Sequence, residues 1–301
     1  LIGTTFGLTT QQAMSTPAPF QFNHRLRVRW AEVDAQQVVF NAHYLTYLDS
    51  AISDYWRELG LPYPESFLHE HADLYMRANS IQYHAQARLD DMLDVGIRRE
   101  RIGNSSLTMA WSVSTQGRQL VTGEAVYVLT DLTTRQPMTV PESMRRQILA
   151  HEQERPVHRV TAGSWQEVGE GASAVRRAVF VGEQGIPESE EWDEDDSSAV
   201  HVVAYNLSGL ALATGRLIHE GQSEGHAKIG RMAVMRSSRG IGLGQLMLET
   251  LIEQARGRHI RRITLHAQVS AQGFYTRFGF HAEGPVFDEV GIAHQRMILM
   301  L

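Results

Sequence analysis

Polar and apolar residues alternate through 24–31, the period of a half-buried strand. From about 41 to 59 the period lengthens. Leu45, Leu48, Ile52, Tyr55, Trp56 and Leu59 recur at spacings of three and four, which predicts a helix with one apolar face, closed by Gly60 and Pro62. Alternation then returns. Leu107, Met109, Trp111 and Val113 interleave with polar residues, and Gln116-Gly117-Arg118 turns the chain into a strand over 120–131. Residues 73–84 and 92–102 carry weaker strand patterns. One long helix followed by an antiparallel meander predicts a sheet wrapped around a central helix.

Pro137, Pro141, a polar helical stretch over 142–155 and Pro156 mark a boundary. A second cycle starts near Val157. It predicts a helix over 172–181, an acidic loop over 183–198, and strands at 199–206, 209–219 and 227–235. A glycine-rich loop, a helix over 242–257, a strand over 261–267, a short helix over 270–278 and two final strands complete it. The expected fold class is α+β, with an antiparallel sheet around a central helix followed by a mixed α/β domain. The expected organisation is a disordered or extraneous segment at 1–21, a first domain at 22–150, a linker at 151–157 and a second domain at 158–301.

The length of 301 residues suits about two domains, and 43% hydrophobic content supplies two cores. A formal charge of -6 argues against nucleic acid as a partner, and no apolar run is long enough to span a bilayer. The absence of cysteine excludes disulfides, thiol nucleophiles and zinc–thiolate sites together. With no basic start or apolar core in residues 1–13, a cytoplasmic location is expected. Lys228 is the only lysine, which a compositional bias toward arginine accounts for. The histidines are scattered without ligand spacing, so no metal is expected.

Arg239-Gly240-Ile241-Gly242-Leu243-Gly244 lies between a strand and a helix that carries Leu246, Leu248, Leu251 and Ile252 on one side. Glycines let the backbone approach phosphates closely, and unpaired N–H groups with the helix dipole hold the anion. Downstream stands Phe274-Tyr275-Thr276-Arg277-Phe278-Gly279-Phe280. Together these resemble the acyl-CoA site of the GNAT N-acetyltransferase superfamily, whose pattern Arg/Gln-x-x-Gly-x-Gly/Ala is met at Arg239, Gly242 and Gly244. The resemblance covers about 158–301. It implies coenzyme A or acetyl-CoA as acyl donor, with Arg239 and the amides of Gly240, Ile241, Gly242, Leu243 and Gly244 at the pyrophosphate. By the same likeness Met232, Ala233 and Val234 pair with the pantetheine arm. Gln268 stands where the family often has a cofactor-side asparagine, and Tyr275 is the acid for the departing thiolate. Gln184-Gly185-Ile186-Pro187 and Gly291-Ile292-Ala293-His294 look like a bacterial subgroup whose substrates are poorly defined.

An amine with a lysine-like pKa of about 10.4 is almost wholly protonated at neutral pH, so its acylation asks for a base. His266, Glu183 and His294 are the candidates. From Glu183 to Asp196 the chain has eight acidic residues and no basic one, either a solvated loop or a lure for a cationic amine.

In the first domain, Asp34-Ala35-Gln36-Gln37-Val38-Val39-Phe40-Asn41-Ala42-His43-Tyr44 joins the first strand to the long helix. Helix-terminal amides can polarise a thioester carbonyl while a carboxylate attacks it or activates water; an aspartate here can also serve as a cap. The stretch resembles the 4-hydroxybenzoyl-CoA thioesterase-like hotdog family, in which Asp-x-x-Gly-x-Val-Phe/Tyr opens the central helix. Over about 22–150, that likeness implies Asp34 as nucleophile or base and the Asn41 amide, or a neighbour, as oxyanion donor. It also implies at least a dimer. Asp131-Leu132-Thr133-Thr134-Arg135 with Pro137 looks like the family's closing turn, and Gln37 replaces the usual glycine. Its side chain could crowd the thioester. His43, in the first helical turn, is a further contact candidate.

The expected protein is a bifunctional acyl-CoA enzyme, a thioesterase joined to an N-acyltransferase that acts on an amine. The alternatives are an acetyltransferase with an inactive hotdog dimerisation module, and a non-catalytic acyl-CoA sensor.

Overall fold

The computed structural model describes residues 20–219 and 225–301. The expectation for residues 1–21 therefore falls almost entirely outside the described residues. β1 (Phe22–Arg27) leads through a loop to α1 (His43–Glu58) and the short α2 (Glu65–His69). β2 (Ala72–Tyr83), β3 (Met92–Ile102), β4 (Ser106–Thr115), β5 (Arg118–Asp131) and α3 (Glu142–Glu152) follow. The five strands form one antiparallel sheet in the order β1-β3-β4-β5-β2, which curls around α1. Tyr47, Leu48, Ala51, Ile52, Tyr55 and Trp56 of α1 pack against Leu93, Val95, Ile97, Trp111 and Leu129. Leu45, expected on that face, is exposed, because the buried stripe runs from Tyr44 through Tyr47 and Leu48 instead. α3 belongs to this unit, since Met144 and Ile148 join its core.

β6 (His158–Gly163), which the residue pattern did not announce, opens the second unit. α4 (Trp165–Arg176) starts earlier than periodicity suggested, because Ser164 and Glu167 close a capping box at its N-terminus. A π-helical turn (Arg177–Glu183) and the short α5 (Glu188–Glu191) lead to β7 (Val200–Asn206), β8 (Ala211–His219) and β9 (His226–Val234). α6 (Leu243–Gly257), β10 (Arg262–Gln268), α7 (Gln272–Thr276), β11 (His281–Glu289) and β12 (Ile292–Met300) complete it. The sheet order is β11-β12-β10-β9-β8-β7-β6, antiparallel except for the parallel pair β9/β10. Val202 and Ala204 face α6, whereas Val203 between them faces α4, so the sheet is covered on both sides.

The buried Gln147 of α3 ties the units together. Its amide donates to Leu59 O (2.7 Å) and Val157 O (2.6 Å), and its oxygen accepts the Leu207 N–H (2.7 Å). Arg57 at the end of α1 reaches Ser237 O (2.7 Å), just ahead of the glycine loop. No helix among the described residues is long and apolar enough to cross a membrane.

Candidate active sites

The loop 32–40 is built from its own backbone. Asp34 N–H donates to Val38 O, Gln37 N–H to Asp34 O and Phe40 N–H to Glu32 O, each at 2.9 Å. Asp34 Oδ1 accepts the Gln36 N–H at 2.8 Å, an Asx turn that fixes one oxygen of the carboxylate. Gln37 takes φ 61°, the left-handed conformation that glycine adopts freely, so the backbone holds the glycine-like turn despite the side chain. That side chain is exposed and absent from the cavity lining, which removes the expected crowding.

Asp34 and Asn41 line the same open cavity of about 440 Å³, with Val38, Phe40, Tyr44 and Tyr83. The amides of Asn41 and Ala42 have no acceptor among the described residues, and the Asn41 carbonyl accepts the Tyr83 hydroxyl (3.3 Å). Asp34 and Asn41, whose amide finds no acceptor among the described residues, thus border a pocket whose mouth carries the half-exposed aromatics Phe40 and Tyr83, and Ala42 follows at the helix entry. His43 lies beside the Phe40 ring, at 6.1 Å between centroids, and does not line the cavity.

Residue patterns gave no sign of Glu32, which is buried beneath this loop. Burial opposes its charge. The Arg29 amide (2.7 Å), the Tyr47 hydroxyl (2.8 Å) and the Arg29 guanidinium outweigh that and hold the carboxyl below its usual range. Glu32→Ala should lower stability by roughly 1–3 kcal/mol, since it leaves the buried Tyr47 hydroxyl and the partly buried Arg29 amide unpaired. Chemical denaturation would measure this, and a change under 0.5 kcal/mol, an ordinary surface effect, would assign the contacts no structural weight.

In the second unit β9 and β10 pair only from Arg262↔His226 to Leu265↔Ile229. Beyond Gly230 the β9 register shifts against β8, and Arg231 takes φ 51°. This bulge parts the strands, so Ala233 and Val234 have a strand partner on the β8 side alone, and Met232 lies in the bulge itself. Gly240 (φ 90°) and Gly242 (φ 87°) then turn the chain into α6. No backbone carbonyl among the described residues accepts the amides of 240–245. A Cβ on Gly244 would meet nothing nearer than 3.8 Å, so this glycine leaves free space above the helix entry rather than relieving a contact. Free amides, open space and a parted strand pair fit a pyrophosphate with an extended arm.

Arg239 does not point freely at that space. It donates to Val234 O (3.1 Å) and bidentately to Glu183 (2.8 and 2.7 Å), bracing the loop against β9 and the π turn. The same pair holds the Glu183 carboxyl below its usual range, which makes it a poor proton acceptor.

A cavity of about 230 Å³ at the strand gap collects Met232, Gln268, Tyr275, His266, Glu289 and His294. Tyr275 packs beside Phe274 and Phe280, and burial pushes its phenol up to about 12, so it stays protonated. Gln268 donates to Gln184 Oε1 (3.2 Å). His266 Nδ1 donates to Glu289 Oε2 (3.1 Å), while its Nε2 has no partner among the described residues. Burial first, and then nearby Lys228, hold His266 below its usual value against the pull of Glu289. It is therefore neutral at pH 7, with a lone pair on Nε2. His294 Nδ1 is engaged by Ile292 O (2.8 Å).

The acidic run is not a free negative surface. Glu191 meets Arg176 (2.5 Å), Asp193 meets Arg216 (2.5 Å) and Arg231 (3.0 Å), and Asp196 meets Arg176 and Arg216 (2.7 Å each). Glu183 and Glu188 pair with Arg239 and Arg177. Most of the run is thus counter-charge for arginines distant in sequence.

Residues 28–148 match the model described as Thioesterase-like superfamily, and residues 166–301 match Acetyltransferase (GNAT) domain. The uncharacterized N-acetyltransferase YjcF of Bacillus subtilis (strain 168) is 31% identical over 125 residues, covering 41% of this chain and 86% of that protein. An acyl-CoA N-acyltransferase from Pseudomonas aeruginosa is 30% identical with TM-score 0.44, over 47% of this chain and 98% of that one. A probable thioesterase from Bartonella henselae is 22% identical with TM-score 0.38, over 41% of this chain and 100% of that one. The chain belongs to the GNAT acetyltransferase family through its C-terminal half, with a thioesterase-like hotdog domain joined ahead of it.

Proposed function

We propose that the chain uses acyl-CoA at two sites, hydrolysing the thioester in the hotdog half and transferring an acyl group, acetyl in the first instance, to an amine in the GNAT half. One observation carries the reading: the six amides of 240–245 find no acceptor among the described residues and lie beyond a parted strand pair, on a unit whose cavity holds a protonated tyrosine and a neutral histidine. In the transferase step the amine nitrogen attacks the thioester carbonyl carbon. The C–N bond forms, the C–S bond breaks, the amine proton passes to His266 Nε2, and the thiolate takes the Tyr275 proton. Glu289 fixes the His266 tautomer. In the hydrolase step Asp34, as base, takes a proton from a water that attacks the carbonyl carbon, or, as nucleophile, attacks it directly to give an acyl-aspartate that water then hydrolyses. Either way a C–O bond forms, the C–S bond breaks, CoA leaves as the thiol with a proton from water, and the Asn41 amide or its neighbour receives the developing oxyanion. Exposed Tyr75, Met76 and Tyr83 on the edge strand β2 suit pairing with a second copy, the oligomer the hotdog likeness implies.

The test is amine-dependent CoA release from acetyl-CoA, wild type against Tyr275→Phe. The variant should lose about 100-fold in kcat with little change in KM for acetyl-CoA, since a general acid acts on the leaving group alone. The wild-type kcat/KM should fall on the acid side only below the ordinary histidine value of 6.5, because the folded protein holds His266 beneath it. An unchanged kcat would leave Tyr275 as a packing residue.

A further inference from the structure

We infer that the acceptor is an amine carrying an anionic group, and that Lys228 binds that group while the amine meets His266. This rests on the acyltransfer reading and narrows its substrate. The charges around the transferase cavity are mostly matched. Arg216 is closed by Asp193 and Asp196, and Arg231 by Glu191 and Asp193. Glu289 is bonded to His266, and Glu190 stands exposed at the rim.

Lys228 differs from all of these. It is half-buried, it lines the cavity, and it has no ion pair or hydrogen bond among the described residues. It lies opposite Thr264 in the parallel β9/β10 register, two residues before His266 on the neighbouring strand. The two side chains are therefore diagonal neighbours on one face, close enough for the ammonium to disfavour charge on the imidazole.

A half-buried ammonium gives up part of its hydration, and no group among the described residues compensates it; arginine serves every other Lys/Arg position in this chain. An acceptor with an anion at one end supplies the missing partner. Its amine end then meets His266 Nε2, which has no partner among the described residues and can take its proton. A polyamine would instead place a second cation against Lys228. Arginines already match five of the eight acidic residues of the run, which weakens its reading as a lure for a cationic amine.

The experiment uses the full chain with acetyl-CoA and amines matched except for the anion. The pairs are butylamine with 4-aminobutanoate, benzylamine with 4-(aminomethyl)benzoate, and ethanolamine with phosphoethanolamine, with spermidine as the opposite charge pattern. Wild type should prefer the anionic member by about tenfold or more in kcat/KM, the scale of one charged hydrogen bond. Phosphoethanolamine against the two carboxylates decides which anion is read. Lys228→Met should erase the preference, read as the ratio of kcat/KM within each pair, while an unchanged melting temperature shows the variant is folded. Lys228→Arg should keep part of it.

Equal rates within the pairs, preference for spermidine, or a preference that survives Lys228→Met would overturn the inference while leaving acyltransfer standing. No amine-dependent release from any of the seven would sink the acyltransfer reading, and this inference with it.

Discussion

Asp34→Asn should cut amine-independent hydrolysis of acyl-CoA by about 10²- to 10⁴-fold, the range for loss of a positioned acid, base or nucleophile. Asparagine is the informative substitution. Its Oδ1 can still accept the Gln36 N–H that Asp34 Oδ1 accepts at 2.8 Å, so the turn ahead of α1 is kept while the charge is lost. Asp34→Ala removes both, and its additional loss over Asp34→Asn measures what the turn contributes. The chain contains no cysteine, so a thiol-reactive dye reports released CoA without background from the protein. A panel of short, long and aromatic acyl-CoAs is the proper substrate set, because Phe40, Tyr44 and Tyr83 make the cavity wall aromatic. Equal hydrolysis by wild type and Asp34→Asn would move the chemistry away from Asp34. No hydrolysis of any donor by wild type would favour the scaffold alternative, in which the hotdog half only pairs chains.

What the sequence disclosed follows the reach of local geometry. The glycine loop, α6, α1 and the β4/β5 hairpin are written in short periods and turn residues, and the structure has each within a residue or two of its expected place. Gln37 shows how such reading can mislead. A side chain where the family has glycine suggested a damaged loop, yet the backbone reaches φ 61° and turns the side chain to solvent. The start of α4 was also local and available, in Ser164 and Glu167, but apolar periodicity alone placed the helix seven residues late. Long-range pairing is another matter. Nothing near Glu32 announces Tyr47, and nothing near Glu191 or Asp196 announces Arg176 and Arg216. An acidic run reads as solvated until the fold returns those arginines to it. His266 stood among three base candidates on sequence, and only the arrival of Glu289 from β11 separates it from Glu183 and His294.

The arginine cluster yields the largest expected change in stability. Arg176 is fully buried. It donates to Glu191 Oε1 (2.5 Å), Asp196 Oδ1 (2.7 Å) and Glu191 O (2.8 Å), and its guanidinium lies over Trp192 at 4.8 Å. Arg176→Met fills similar volume but leaves two buried carboxylates short of a partner, a change that costs about 3–5 kcal/mol. The transition of the GNAT half should fall by on the order of 10 °C in scanning calorimetry at pH 7. The pH dependence identifies the cause. Burial raises Asp193 and Asp196, but their arginine bonds outweigh it and hold both below the ordinary 3.8. Their contribution is therefore present above 3.8 and is lost as the pH falls through the lowered folded values. Glu191 runs the other way, since burial lifts it above 4.5 and protonation on acidification relieves its cost. Without Arg176 the orphaned carboxylates should titrate higher and neutralise themselves sooner. The deficit of the variant should thus be greatest at pH 7 and shrink by pH 4. A deficit that stays constant between those values would mean the loss comes from packing against Trp165 and Trp192, not from unpaired charge.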